Sequence, residues 1–231
     1  MSIGQINQEG PGMGAVDRGE TLTDQVYARL RHGLLMGLWQ PGEKITARQI
    51  GKDLGVSLTP AREAMMRLAS EGALDVSVHR TFSAAALDVA QYREIAAIRL
   101  ALEPIAARAA APLIPEAEIG RLADLNERMK ELNVSDHFRE ALQLDSEFHL
   151  TIYDHAAMPT LRAMIDSLWL RAGPTRNRLS HAYRRKLVGY GNHQRIIDAL
   201  RRRDADAVAA VITEDLDHGT RSVIAVMSAD A

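Results

Sequence analysis

The chain has 231 residues, of which 46% are hydrophobic and 25% charged, with a formal net charge of −2 and no cysteine. This is a globular balance that excludes a disordered polyelectrolyte and a disulfide scaffold, and no apolar run approaches the roughly 20 residues a bilayer span requires. Length above that of one compact domain predicts two, and the lack of cysteine and of a basic-then-apolar leader predicts a cytoplasmic protein.

Residues 1–19 carry five glycines and read as a flexible tail. The first helix follows, with Leu22, Val26, Leu30 and Leu34 at a spacing of about four. It stops at the breaker cluster Gly37 to Gly42. A second helix spans Thr46 to Leu54, turns at Gly55, and gives way to a third. In that third helix Ser57 stands at the N-cap position, Pro60 lies in the first turn, and Ala61, Ala64, Met65 and Leu68 form one apolar stripe. Helix, tight glycine turn and helix fit a helix-turn-helix, whose second helix enters the DNA major groove, or an ordinary helical hairpin with a solvated polar face. A helix N-terminus bearing Ser57, Thr59 and Arg62 suits phosphates and base edges. Two short strands, Leu74 to Val78 and Thr81 to Ala85, flank His79 and Arg80 and complete a winged helix-turn-helix. Between Glu20 and Ala85, eight basic side chains face seven acidic ones, so one copy grips DNA weakly and a dimer is expected to double the phosphate contacts.

This stretch resembles the GntR family of bacterial transcription regulators. The resemblance rests on Gln25, Val26, Tyr27, Leu30, Arg31, Leu34, Gly37, Pro41, Gly42, Glu43, Lys44 and Ile45, then on Leu54 to Ser57, Thr59, Pro60, Arg62 to Ala64, Arg67, Leu68, Glu71 and Gly72. It implies that Arg48, Ser57, Thr59, Arg62 and the wing-tip residues His79 and Arg80 face DNA. Two positions depart from the family pattern. Leu58 stands where the family usually has arginine, and the wing lacks the usual glycine after Arg80.

Beyond Leu87 every segment reads as helical. The expected spans are Val89 to Ala110, Pro115 to about Leu132, Asp136 to His155, Pro159 toward Arg171, Asn192 to Arg203 and Asp204 to Met227. Gly173-Pro174 is expected to kink or break its helix. The fold class is therefore mostly α, a winged helix-turn-helix over residues 20–86 and an all-helical bundle over 87–231. Bundle interiors are where ligand and metal sites are built. Asp145 and His149 are one turn apart beside the apolar Leu144, Phe148 and Ile152, and His193 opens another amphipathic helix. Converging inside a bundle, they suit either a divalent metal or a set of satisfied core polar groups. The runs Arg184 to Lys186 and Arg201 to Arg203 read as solvated helix ends, and Tyr183 and Tyr190 as pocket-lining or packing residues.

Leu144 to Ile152, followed by His193, Ile196, Ile197, Asp198, Ala199, Leu200, Asp204 and Ala205, is similar to the FadR-type effector-binding domain called FCD. The resemblance implies a metal held by Asp145, His149 and His193. Asp215 falls at the fourth ligand position, where the family usually has histidine, and His218 is an alternative one turn on. It also implies that Arg99 points into the pocket, where a guanidinium can take a carboxylate. Zn or Ni suits the imidazoles, with Mn or Fe allowed by mixed ligation. The expected function is a homodimeric regulator, a repressor of a palindromic double-stranded operator released by a small organic acid. Alternatives are a DNA-binding scaffold with a vestigial metal-free pocket, or a metal-dependent hydrolase. The chain lacks a phosphate loop, G-x-S-x-G and H-E-x-x-H, and Glu147, the one base near the ligands, is turned off their face, so an enzyme is not expected.

Overall fold

The computed structural model describes residues 20–77 and 81–230. Helix α1 (Leu22–Leu35) begins at a capping box, in which Thr21 and Asp24 satisfy each other's backbone N–H groups, and buries Val26, Leu30 and Leu34. Helix α2 (Ala47–Leu54) is capped by the Thr46 hydroxyl, which accepts from the Gln49 amide at 3.1 Å. It ends at Gly55 with φ 67°, a left-handed conformation that a β-carbon would strain. Helix α3 (Leu58–Ser70) then buries the expected stripe Ala61, Ala64, Met65 and Leu68 against α1 and α2.

The sheet has one strand more than the sequence predicts. Strand β1 (Lys44–Ile45) joins β2 (Leu74–Val76) and β3 (Phe82–Ala84) in the order β1-β3-β2, all antiparallel. Phe82 lies opposite Ile45 on one side and Val76 on the other, and Ser83 opposite Lys44 and Asp75. Two residues carry no periodicity, so β1 leaves no signal of its own. The predicted wing-tip contacts His79 and Arg80 lie outside the described residues.

A second capping box, Asp88 with Gln91, starts α4 (Val89–Ala110). It is followed by α5 (Glu116–Val134), α6 (Phe138–Asp154), α7 (Pro159–Arg176), α8 (His181–Arg185), α9 (Val188–Arg201) and α10 (Ala205–Ala229). Helix α10 packs along α4 and α9, and α5 lies across α6 and α9, around a core that includes Phe148, Tyr153 and Trp169. Two expectations are corrected. The short helix α8 precedes α9, which begins at Val188 rather than near Asn192. Helix α7 does not break at Gly173-Pro174 but continues to Arg176. Pro174 removes one N–H rung from the last turn, yet the Arg176 side chain fastens that turn to α6 through Ser146 and Asp145.

The end of α7 also carries the seam with α1. A β-carbon on Gly173 would overlap the Leu34 carbonyl oxygen, so the two backbones touch with no side chain between them. The Asn177 amide donates to the carbonyls of Gly37 at 2.9 Å and Trp39 at 3.0 Å. The Ser146 hydroxyl lies 3.2 Å from the Leu35 carbonyl and 3.0 Å from that of Leu142, and donates to one of the two. Arg31 and Asp166 pair across the same seam at 2.8 Å. The apolar core runs without interruption from α1 into the bundle.

Candidate functional site

Helices α6, α9 and α10 bring together four side chains. The Nε2 atoms of His149 and His193 are 3.1 Å apart. Asp215 Oδ2 lies 3.2 Å from His149 Nε2 and 3.7 Å from His193 Nε2. Asp145 Oδ1 lies 4.0 Å and 3.6 Å from the same two atoms. Asp145, His149 and His193 offer ligand atoms that all lie within 4.8 Å of one another. A tetrahedron of Zn–N and Zn–O bonds near 2.0–2.1 Å has edges of about 3.3–3.4 Å, so these separations fit a small divalent cation. Sequence resemblance leaves the fourth position open between Asp215 and His218. The geometry puts Asp215 against the imidazoles, while His218 is exposed and bonded to Asn192 at 3.2 Å.

The surroundings set each group's state. The Tyr153 hydroxyl donates to Glu103 at 2.7 Å, so its oxygen is left to accept from His149 Nδ1, 3.4 Å away. Coordinating a metal would require that tautomer, which turns the His149 Nε2 lone pair to the cluster, whereas a proton on Nε2 donates instead to Asp215, 3.2 Å away. Phe148 stacks on His193 at 4.1 Å and fixes its ring plane. Burial opposes a charged Asp215, but hydrogen bonds from His149 and His193 reverse that and hold its carboxyl far below the usual range. Burial likewise opposes the His149 imidazolium, and the neighbouring Asp215 and Asp145 outweigh it and raise the pKa.

Beside the cluster is a cavity of about 70 Å³ lined by Tyr92, Arg99, Trp169, Arg176 and Tyr183 with Asp145, His149 and Asp215. Arg99 is buried, as an inward-pointing residue must be, but Glu103 already takes its Nε at 2.6 Å. Glu103 is wholly buried and also accepts from Trp169 Nε1 at 2.9 Å. The guanidiniums of Arg99 and Arg176 lie over the Trp169 ring at 4.5 Å and 4.2 Å. Sequence reasoning missed Glu103, Tyr153, Trp169 and Arg176. The available signal was two charged residues, Arg99 and Glu103, on the stripe of α4 that also buries Ile95, Ala96, Ala106 and Ala107. Glu147 points away to an ion pair with Arg121 at 2.6 Å.

At the other end of the molecule Arg48, Ser57, Thr59 and Arg62 are all exposed, on α2 and at the start of α3. Neither arginine has an ion-pair partner among the described residues. Ser57 occupies the N-cap with extended backbone but makes no side-chain cap hydrogen bond, which leaves its hydroxyl for another acceptor or donor.

Two stretches of the chain match two family models. Residues 22–82 match the model described as bacterial regulatory proteins, gntR family, and residues 94–218 match the FCD domain. The chain belongs to the GntR family. This GntR-family member is 31% identical to the HTH-type transcriptional regulator McbR of Escherichia coli K12 over 164 residues, 71% of this chain and 74% of that one. It is 26% identical to the HTH-type transcriptional repressor RspR of the same organism over 211 residues, 88% and 90% of the two chains. The solved structure of E. coli McbR/YncC superposes with a TM-score of 0.79 at 28% identity, covering 91% of this chain and 98% of that one. A putative GntR regulator from Rhodococcus sp. RHA1, 18% identical, shares the fold with a TM-score of 0.71. The GntR-family chain is a DNA-binding transcriptional regulator, in keeping with relatives that are regulators and not enzymes. Its Asp145, His149 and His193 could hold a metal ion, and no helix among the described residues is long and apolar enough to cross a membrane.

Proposed function

We propose that this regulator is a homodimeric repressor that leaves a palindromic operator when a small organic acid enters a metal-containing pocket in the bundle. In this reading residues 20–86 supply the DNA contacts, through Arg48, Ser57, Thr59, Arg62 and the wing, and residues 87–231 supply the pocket and the dimer contacts. The observation that carries it is the convergence of Asp145, His149, His193 and Asp215 beside a cavity lined by two buried arginines. A divalent cation held there, Zn or Ni by its imidazole ligands, would supply a Lewis-acid anchor for a carboxylate. Arg99 and Arg176 then orient the acid through their remaining N–H donors. The repressor sense is supported by the relative RspR, which is named a transcriptional repressor.

Release requires that the acid favour one arrangement of the DNA-binding helices over another. Arg176 offers the route, because it holds Asp145 and Ser146 on α6 and sits beside Asn177, which grips the chain after α1. An acid that draws Arg176 off Ser146 loosens the seam with α1. The first test is elemental analysis of the purified protein and of Asp215→Ala. About one metal per chain in the wild type, lost in the variant, is expected. A metal-free wild type that stays empty after addition of Zn, Ni or Mn overturns the metal site. The DNA arm uses sequences selected by the protein from a random library. Arg62→Ala should lose specific binding while keeping the dimer and the metal, and unchanged affinity refutes that placement.

A further inference from the structure

Arg184 reads from sequence as part of a solvated basic run, yet its side chain is only 8% exposed. Its Nε and Nη1 donate to the main-chain carbonyls of Leu179 at 3.2 Å and Phe138 at 3.1 Å. Arg99 has Glu103 and Arg176 has Asp145, but no carboxylate among the described residues lies within 4.0 Å of Arg184. Burial draws its pKa down to about 10, which still leaves it charged at neutral pH. Asp145 across the same cavity attracts it but makes no contact ion pair, and a buried cation held without one is costly and is kept where something else supplies the charge.

Arg184 lines a second cavity of about 50 Å³ with Asn133, Tyr190 and His193. Asn133 Oδ1 and His193 Nδ1 are buried and have no hydrogen-bond partner. The two cavities share Asp145, Leu179, Tyr183 and Gly189, so they adjoin, and an acid that occupies both passes between these side chains. At about 15 Å³ per enclosed atom-sized group, 70 and 50 Å³ together hold roughly eight non-hydrogen atoms. The charges point the same way. The guanidiniums of Arg99, Arg176 and Arg184 face the carboxylates of Glu103, Asp145 and Asp215, so a bound divalent cation leaves two positive charges for the ligand.

We propose that Arg184 is the second anion-binding residue of a two-lobed pocket, and that the effector is a small dianionic acid with one anionic group beside Arg176 and the other at Arg184. This rests on reading the bundle as an effector pocket and narrows the class of acid. It is tested on the full-length protein, with and without added Zn²⁺, by calorimetric titration with succinate and with butyrate. These acids have the same carbon chain and differ in the second carboxylate.

Succinate is expected to bind about tenfold tighter than butyrate, a difference of about 1.4 kcal/mol. Arg184→Gln should bring succinate down to the butyrate level and leave butyrate unmoved, whereas a purely structural arginine would shift both acids together. Asn133→Asp, which puts a carboxylate into the same lobe without touching Arg184, should abolish the preference too and serves if Arg184→Gln does not fold. Equal affinities, or a preference that survives these substitutions, overturn the proposal while leaving the organic-acid reading in place. If neither acid binds, the organic-acid reading fails by itself and inorganic phosphate judges the subsite. Thermal stabilisation by phosphate over chloride in the wild type but not in Arg184→Gln sustains it, and the same shift in both removes it.

Discussion

Glu103 shows how much a single buried carboxylate does in this bundle. It accepts from Arg99, Tyr153 and Trp169 and has no contact with water. Removing one partner of such a pair leaves the other charge uncompensated, at a cost of about 3–5 kcal/mol. Glu103→Ala should lower the denaturant midpoint by an amount corresponding to that loss, while a surface control such as Glu147→Ala should stay within about 0.5 kcal/mol. Tyr153 links this network to the cluster that could hold a metal. Tyr153→Phe keeps the ring but removes the oxygen that His149 Nδ1 faces. Loss of such an outer partner typically weakens metal affinity by about 10–100-fold, measurable by competition with a chromophoric chelator; unchanged affinity would mean that the 3.4 Å contact does not orient the ring. Ser57 gives a third test. N-cap serine to alanine usually costs about 1 kcal/mol, but here the hydroxyl makes no cap bond. Ser57→Ala should therefore leave the melting temperature almost unchanged and weaken DNA binding, the reverse of what a capping serine does.

Among the elements, those with strong local punctuation were legible in the sequence and those held by remote contacts were not. Thr46, Gly55 and the stripe from Ala61 to Leu68 fix α2, its turn and α3 by capping, backbone freedom and period, all encoded within a few residues. Strand β1 is defined by Phe82 and Ser83, some forty positions away, and its two residues have no pattern of their own. Helix α8 has a local signal that the sequence reading passed over, the Ser180 hydroxyl capping Tyr183 N–H, whereas the burial of Arg184 depends on the carbonyls of Phe138 and Leu179 and on the cavity beside it, which no local rule reveals. Gly173-Pro174 misled for the opposite reason. Its local meaning is a break, and tertiary bonds from Arg176 override it. At the candidate site, the one-turn spacing of Asp145 and His149 was readable, while the pairing of Arg99 with Glu103 required knowing which face of α4 is inside. The seam offers its own test. Asn177→Ala removes the donor to Gly37 and Trp39 and should raise amide exchange across 33–39, while exchange in α5 stays constant; equal protection would mean that Asn177 does not hold this end of α1.

Across the whole molecule charge is spent locally. With a formal net charge of −2, the protein has no global attraction for DNA, and on the proposed reading the attraction would lie in exposed groups such as Arg48 and Arg62. Operator affinity should fall steeply with salt, with a slope near −0.9 per phosphate neutralised. Arg48→Ala, if that residue meets a phosphate, should reduce the slope by about one per half-site. A slope identical to wild type would place Arg48 off the backbone. The bundle's cavities differ, since Arg99, Arg176 and Arg184 are buried and act at short range, so ligand binding there should be far less sensitive to salt than DNA binding is.

The bare approach of Gly173 to the Leu34 carbonyl also bears on how such a regulator changes over generations. The lobes of the pocket are lined by side chains, and each can be exchanged to suit a different acid. In the proposed mechanism the joint that carries the message outward includes, beside the Arg176 and Asn177 contacts, one point where main chain meets main chain, with no side chain to trim and no room to add one. New inputs can thus be acquired by substitution in the bundle while the output linkage stays fixed, and Gly173→Ala should disable response to every ligand alike.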